Sequence, residues 1–265
     1  MKSTKLIFCS LIFCFCSLIH SQTKLIATGS GDTYELINKV LSPGHDAVEV
    51  PDCAHAAFGK HINQVYDTDL KRYVFEFTVH TAVDNDRCEK FDRQRVEIKT
   101  YGPSPENLKG KEGEIVNYSW KFKIPSGFQP STSFTHLHQI KAVGGSDGLP
   151  LFTLSAKKGK INKLNLVHDN VTILQSAPLN DFIDTWVEVK EIIEVGSNGY
   201  YSMKISRLND GVELLSYSTD KLMTIRADNE FIRPKWGIYR SLNNSSDLRD
   251  ESVLFADFVI EETKK

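Results

Sequence analysis

The stretch VNYSWKFKI, residues 116–124, puts Tyr118, Trp120, Phe122 and Ile124 on one face if the chain is extended, with polar residues between them. KRYVFEFTVH, residues 71–80, does the same with Tyr73, Phe75, Phe77 and Val79. A period of two marks a half-buried strand, because successive side chains of a β-strand leave opposite faces. Further segments of this kind are FTHLHQIKAV (134–143), LFTLSAK (151–157), KLNLVHD (163–169), TWVEVKEIIEV (185–195), YYSMKISRL (200–208), VELLSYS (212–218), PKWGIYRSL (234–242) and VLFADFVIEE (253–262). Turn signals such as KGK, GSNGYY and NDGVE separate them. Many short strands at regular spacing predict an all-β sandwich or barrel. Helical signals are few. DTYELINKVL (32–41) carries Asp32 three residues before Glu35, as at a capped helix, the alternative being a first edge strand.

The N-terminus reads as a secretory signal: Lys2 and Lys5, the apolar run LIFCSLIFCFCSLI, then Ser21 before Gln22. The run is short for a spanning helix, and polar or charged residues follow at once. The expected organisation is a signal over residues 1–21 and one domain over 22–265, secreted to the exterior or the periplasm, with no membrane span after cleavage and as a monomer. Cys9, Cys14 and Cys16 would leave with the signal, so Cys53 and Cys88 are expected to form a disulfide, the alternative being two buried thiols. The formal net charge of the whole chain is −2; without Lys2 and Lys5, 30 basic residues face 34 acidic ones. Bulk charge therefore attracts no polyanion, and no nucleic-acid partner is expected. Any anion site must be local.

One local stripe is FDRQRVEIKTY (91–101), where Arg93, Arg95, Glu97 and Lys99 share a strand face opposite Gln94, Val96 and Ile98. It is either a solvated face or the wall of a cleft for a polyanion. In HLHQIKA, strict alternation puts Gln139 and Lys141 on one face and His136 and His138 on the other; in PKWGIYRSL it aligns Lys235, Gly237 and Tyr239.

These three segments resemble the cleft strands of jelly-roll polysaccharide lyases of the alginate-lyase type, which read Arg-x-Glu-Leu, Gln-Ile-His and Lys-x-Gly-x-Tyr. Here they are Arg95-Val96-Glu97-Ile98, Gln139-Ile140-Lys141 and Lys235-Trp236-Gly237-Ile238-Tyr239, in the same order. Lys141 stands where the alginate enzymes carry a histidine, which is more similar to the related ulvan lyases and glucuronan lyases. The resemblance implies a β-jelly roll of two antiparallel sheets with a concave cleft. It also implies an anionic uronate polysaccharide as substrate, ulvan first and glucuronan next, cleaved by β-elimination.

That reaction needs the uronate carboxylate neutralised, the C5 proton removed and the departing O4 protonated. Arg95 and Gln139 suit the first task, since both can donate to one carboxylate. Tyr239 suits the last, because a phenol among cations can exchange a proton without a metal. Lys141 is either the base or a second neutralising charge with Tyr239 as both base and acid. A histidine base, His80 or His138, is the fallback. Arg93, Glu97, Lys99, Lys235, His80, His138 and Arg240 are the expected substrate contacts, although Arg95 and its neighbours could equally form a cross-strand ion network. The glycine at 237 is expected to let substrate approach the backbone.

No cofactor and no metal is expected. The two histidines of HLH lack a third ligand at recognisable spacing. Asp84, Asn85 and Asp86 offer Ca²⁺-type oxygens, but without the glycine and terminal glutamate of an EF-hand loop. The chain has no G-x-S-x-G, Walker or dinucleotide fingerprint. The rival readings are a non-catalytic carbohydrate-binding module with Trp236, Tyr200 and Tyr201 as aromatic platforms, and a glycoside hydrolase. The latter needs paired carboxylates that Glu97, Glu188 and Glu191 do not form on a strand face.

Overall fold

A computed structural model of the chain describes residues 21–263. The expected signal segment, with Lys2, Lys5, Cys9, Cys14 and Cys16, lies outside the described residues apart from Ser21. In chain order the strands are β1 (Ser21–Leu25), β2 (Val48–Glu49), β3 (Ile62–Asp67), β4 (Arg72–Val79), β5 (Arg93–Lys99), β6 (Ile115–Lys123), β7 (Thr135–Val143), β8 (Phe152–Lys157), β9 (Lys163–His168), β10 (Thr172–Pro178), β11 (Trp186–Glu194), β12 (Gly199–Arg207), β13 (Glu213–Leu222), β14 (Phe231–Ser241) and β15 (Glu251–Thr263). One α-helix, α1 (Thr33–Leu41), precedes β2. Its N-cap Asp32 accepts from the backbone N–H of Tyr34 and Glu35, which settles the helix-or-strand alternative for that segment.

The strands form two antiparallel sheets. One runs β13-β12-β11-β6-β15-β4-β3, with β1 laid against β15; the other runs β10-β9-β8-β7-β14-β5-β2. This is the all-β jelly-roll sandwich that the resemblance implies, the strand pattern alone predicting a sandwich or barrel. The alternation that predicts β6 is seen directly, since its buried and half-exposed residues alternate along the whole strand. The inner faces meet in an aromatic core in which Trp236 of β14 lies 5.9 Å from Trp120 of β6 and 5.1 Å from Phe258 of β15, and Phe77 of β4 lies 4.9 Å from Phe255. Burying aromatic rings of this size supplies most of the force holding sheet to sheet. Strand β10 has no counterpart among the alternating segments, because it is a largely exposed edge with no apolar face to reveal it. No helix among the described residues is long and apolar enough to cross a membrane.

Candidate active site

The central strands β7, β14 and β5 of the second sheet turn Ile140, Trp236, Ile238, Val96 and Ile98 into the core, so their other face carries the polar residues. Register fixes which of these meet: Lys235 lies opposite Lys99 and Gln139, Gly237 opposite Glu97, and Tyr239 opposite Arg95 and His136. Gly237 is the only type of residue its position accepts. Its φ is +142°, and a Cβ there would lie 2.1 Å from the carbonyl oxygen of Val96. The glycine thus admits the neighbouring β5 backbone, which corrects the expectation that it makes room for substrate.

Two irregularities shift the ladder. Between His136 and His138, β7 advances two residues for one on β8; between Trp236 and Tyr239, β14 advances three for two on β7. Such bulges change which face a side chain takes. His136 therefore joins Gln139 and Lys141 on the cleft face, while His138 enters the core. The resulting cleft, of about 370 Å³, is lined by Arg87, Lys90, Arg93, Arg95, Lys141, Arg233 and Lys235, with Glu49 the one lining carboxylate, and by Phe134, His136, Gln139, Tyr239 and the segment 148–150.

A buried ion network forms its floor. Glu97, fully buried, accepts from Arg95 Nη1 (2.5 Å), Lys235 Nζ (3.0 Å) and Gln139 Nε2 (2.5 Å). Glu49 pairs with Lys235, with Lys99 at 2.9 Å, with Arg87 at 3.0 Å and with Arg95 at 3.4 Å. Asp86 receives Arg95 through Nε (2.9 Å) and Nη2 (3.1 Å). Burial pushes the Glu49 and Glu97 carboxyls up, but Lys235 and Arg95 reverse that and hold both below the usual carboxylate range. Arg95, Lys235 and the amide of Gln139 are thus engaged with Glu97, and Lys99 with Glu49. For Arg95, the ion-network alternative describes its contacts, with Nε, Nη1 and Nη2 all directed at protein carboxylates.

Above this floor stand the groups able to exchange protons. Tyr239 accepts a hydrogen bond from Arg93 Nη1 at 2.9 Å, and the Arg95 guanidinium sits over its ring at 3.8 Å. His136 lies 5.8 Å from that ring between centroids, stacks on Phe134 and bonds Ser155 Oγ through Nδ1 at 3.0 Å. Burial, with Arg95 and Lys235 acting against Glu97, lowers His136 to about 4, leaving a neutral imidazole. Lys141 Nζ donates to the carbonyls of Asp147 (2.6 Å) and Gly148 (2.8 Å); burial, reinforced by Arg233 and Lys235, lowers its ammonium to about 8. Arg233, opposite Lys141 across the ladder, lines the cleft with Nε and Nη1 buried and without a hydrogen-bond partner among the described residues.

Three expected substrate contacts lie elsewhere. His138 is fully buried between Trp120 and Trp236, bonded to the Lys235 carbonyl and to Glu191 at 2.9 Å each. Arg240 is fully buried, donating to Gln94 Oε1 (2.7 Å) and the Arg249 carbonyl (2.8 Å). His80, at the end of β4, turns to Asp84 rather than to the cleft. Nor do Asp84, Asn85 and Asp86 converge as a Ca²⁺ loop would require: Asp84 faces histidines, Asn85 accepts from the Cys88 N–H, and Asp86 takes the arginines. Cys53 and Cys88 are joined as a disulfide, as expected. Of the cleft residues that sequence reasoning passed over, Arg233 was within reach, standing two residues before Lys235 on one strand face. Arg87, Lys90 and Glu49 lie in turns or a two-residue strand, where no periodicity signals them.

No protein-family model matches the chain, and no curated protein matches it in sequence. Among solved structures its fold is similar to that of the marine PL-14 alginate lyase from Aplysia kurodai, with a TM-score of 0.57 and 10% identity over 89% of this chain and 97% of that one. It is also similar to a family 7 alginate lyase in complex with its substrate GGMG, with a TM-score of 0.54 and 14% identity over 85% and 98%. A third is the endo-β-1,4-glucuronan lyase from the fungus Trichoderma reesei, with a TM-score of 0.52 and 15% identity over 77% and 87%. At such identities the likeness is one of fold.

Proposed function

We propose that the protein is a secreted lyase that cleaves a uronate-containing polysaccharide by β-elimination. The observation that carries this reading is the cleft itself. A tyrosine, a lysine of lowered basicity and an arginine that no protein carboxylate engages line it above a buried ion network, on a chain whose overall charge is negative. Neutral Lys141 takes the C5 proton, the C4–O bond breaks as the C4=C5 double bond forms, and Tyr239 protonates the departing oxygen. Arg233, which lines the cleft and is bonded to no protein carboxylate among the described residues, takes the uronate carboxylate in place of Arg95 and Gln139. The solved lyases of the same fold act on alginate or glucuronan, as their names state, which agrees with a uronate substrate. Ulvan is our first choice and glucuronan the second, because ulvan adds sulfate to carboxylate and the partly exposed Arg87 and Arg93 with exposed Lys90 offer further cations. Export agrees with the Cys53–Cys88 disulfide, which persists in an oxidising compartment.

A second reading makes His136 the base, on the observation that its neutral ring stands beside Tyr239. The rival classes fare worse. Trp236 and Tyr201, two of the aromatics a binding platform would use, are fully buried, and Glu97 and Glu191 are buried and engaged. The test is incubation with ulvan, glucuronan, alginate and a glycosaminoglycan, read by ultraviolet absorbance and by new reducing ends. Elimination gives both signals on at least one polymer. New ends without absorbance would establish a hydrolase, and polymer retention without new ends a binding module.

A further inference from the structure

Away from the cleft, three histidines from separate parts of the chain aim at one carboxylate. His55 Nδ1 lies 2.9 Å and His61 Nε2 3.2 Å from Asp84 Oδ1, and His80 Nδ1 lies 3.0 Å from Asp84 Oδ2. One ligand atom from each of the four lies within 4.8 Å of every other. We propose that His55, His61, His80 and Asp84 form a structural zinc site. A tetrahedral ion with Zn–N and Zn–O bonds of about 2.0–2.1 Å holds its ligand atoms about 3.3 Å apart, so modest side-chain rotations close the set around it. Three imidazoles and one carboxylate suit zinc, whereas Ca²⁺ takes oxygen ligands.

The surroundings are those of a built site. His61 Nδ1 bonds Asp52 at 2.6 Å, and Asp52 is held by the Tyr34 hydroxyl at 2.9 Å; this is the carboxylate–histidine support that fixes a ligand's tautomer and ring plane. Asp84 Oδ2 is fixed by the His80 N–H at 2.6 Å. The Phe58 ring covers the cluster, 4.2 Å from His80 and 4.9 Å from His61. His61 and Asp84 are fully buried, while the side chains of His55 and His80 are 24% and 17% exposed, leaving an entry path. The Cys53–Cys88 bridge joins the same two segments, and Asp86, two residues from Asp84, receives Arg95 at the cleft floor. The ion would therefore fasten the loop before β3 to the turn after β4 and steady the anchor of Arg95. Sequence reasoning missed the site because its histidines are spread over 26 positions with no recognised spacing.

The test uses the full exported chain with its disulfide intact, stripped by a chelator and titrated with zinc, then with cobalt. About one zinc per chain, a raised melting temperature and the visible absorption of tetrahedral cobalt are expected. His80→Ala should weaken zinc binding by at least about 100-fold, and Asp52→Asn, which touches no metal, by about 10- to 100-fold. Less than about a tenth of an equivalent bound by the wild-type chain at micromolar zinc would overturn the proposal whether or not any variant folds. So would stoichiometric binding that His80→Ala leaves unchanged.

Discussion

Tyr239 is held on three sides, by the Arg95 guanidinium over its ring, Phe134 against its edge and Arg93 at its hydroxyl. Tyr239→Phe keeps the ring and its packing but removes the exchangeable proton. Turnover should fall by about two to four orders of magnitude with KM little changed, as steady-state kinetics on the active polymer will show. Lys141 must be neutral to act as a base, so the rate should rise with pH through about 8. Lys141→Arg should then abolish activity, because the guanidinium keeps the charge and cannot release it. If His136 is the base instead, its value of about 4 makes the profile flat across neutral pH, and Lys141→Arg retains activity. At this scale alternation put Gln139 with Lys141 and Lys235 with Tyr239, and it took the resemblance to lyase cleft strands to single those pairs out from the other strands. Arg95 could not be resolved, since the same residue in the same strand serves equally as ligand or as counter-ion until its acidic partners are placed, Glu49 from the short strand β2 and Asp86 from the irregular turn before β5.

The pairing of β5 with β14 is continuous, and Gly237 permits it. Gly237→Ala places a methyl against the Val96 carbonyl at a φ that side chains rarely adopt, so the two strands must part. We expect a loss of at least about 2 kcal/mol in denaturant unfolding, together with lost activity as Tyr239 moves from Arg95. Strand identity was legible wherever one face is apolar, as in β4, β6 and β11. Register was not. A bulge adds a residue without changing composition, so strict alternation paired His136 with His138 when the β7 irregularity separates them, one to the cleft and one to the core. His80 and Arg240 went astray for a related reason: each has a protein partner, Asp84 in the turn after β4 or Gln94 on the neighbouring strand, that periodicity does not reveal.

For the molecule as a whole, buried carboxylates set the acid limit. Glu49 and Glu97 have folded-state values below their unfolded ones, so they contribute stability at neutral pH that is lost as pH falls below about 4.5. The urea midpoint should drop steadily as pH falls under about 4.5, and Glu97→Gln should cost about 3–5 kcal/mol at neutral pH by leaving Lys235 and Arg95 short of a counter-charge. Salt tests the cleft: with a net charge of −2, the chain attracts a polyanion only locally, so KM should climb as ionic strength rises. A KM independent of salt would remove the more exposed cleft cations, Arg87, Lys90 and Arg93, from substrate binding. The first sheet carries another consequence. Its β15 sits between β6 and β4 and also receives β1, so Gln22 meets Glu261 across 239 residues of chain. During synthesis that sheet lacks an interior strand until nearly all of the described chain has left the ribosome, which defers folding and leaves its apolar strands exposed to chaperones and to one another for the longest time.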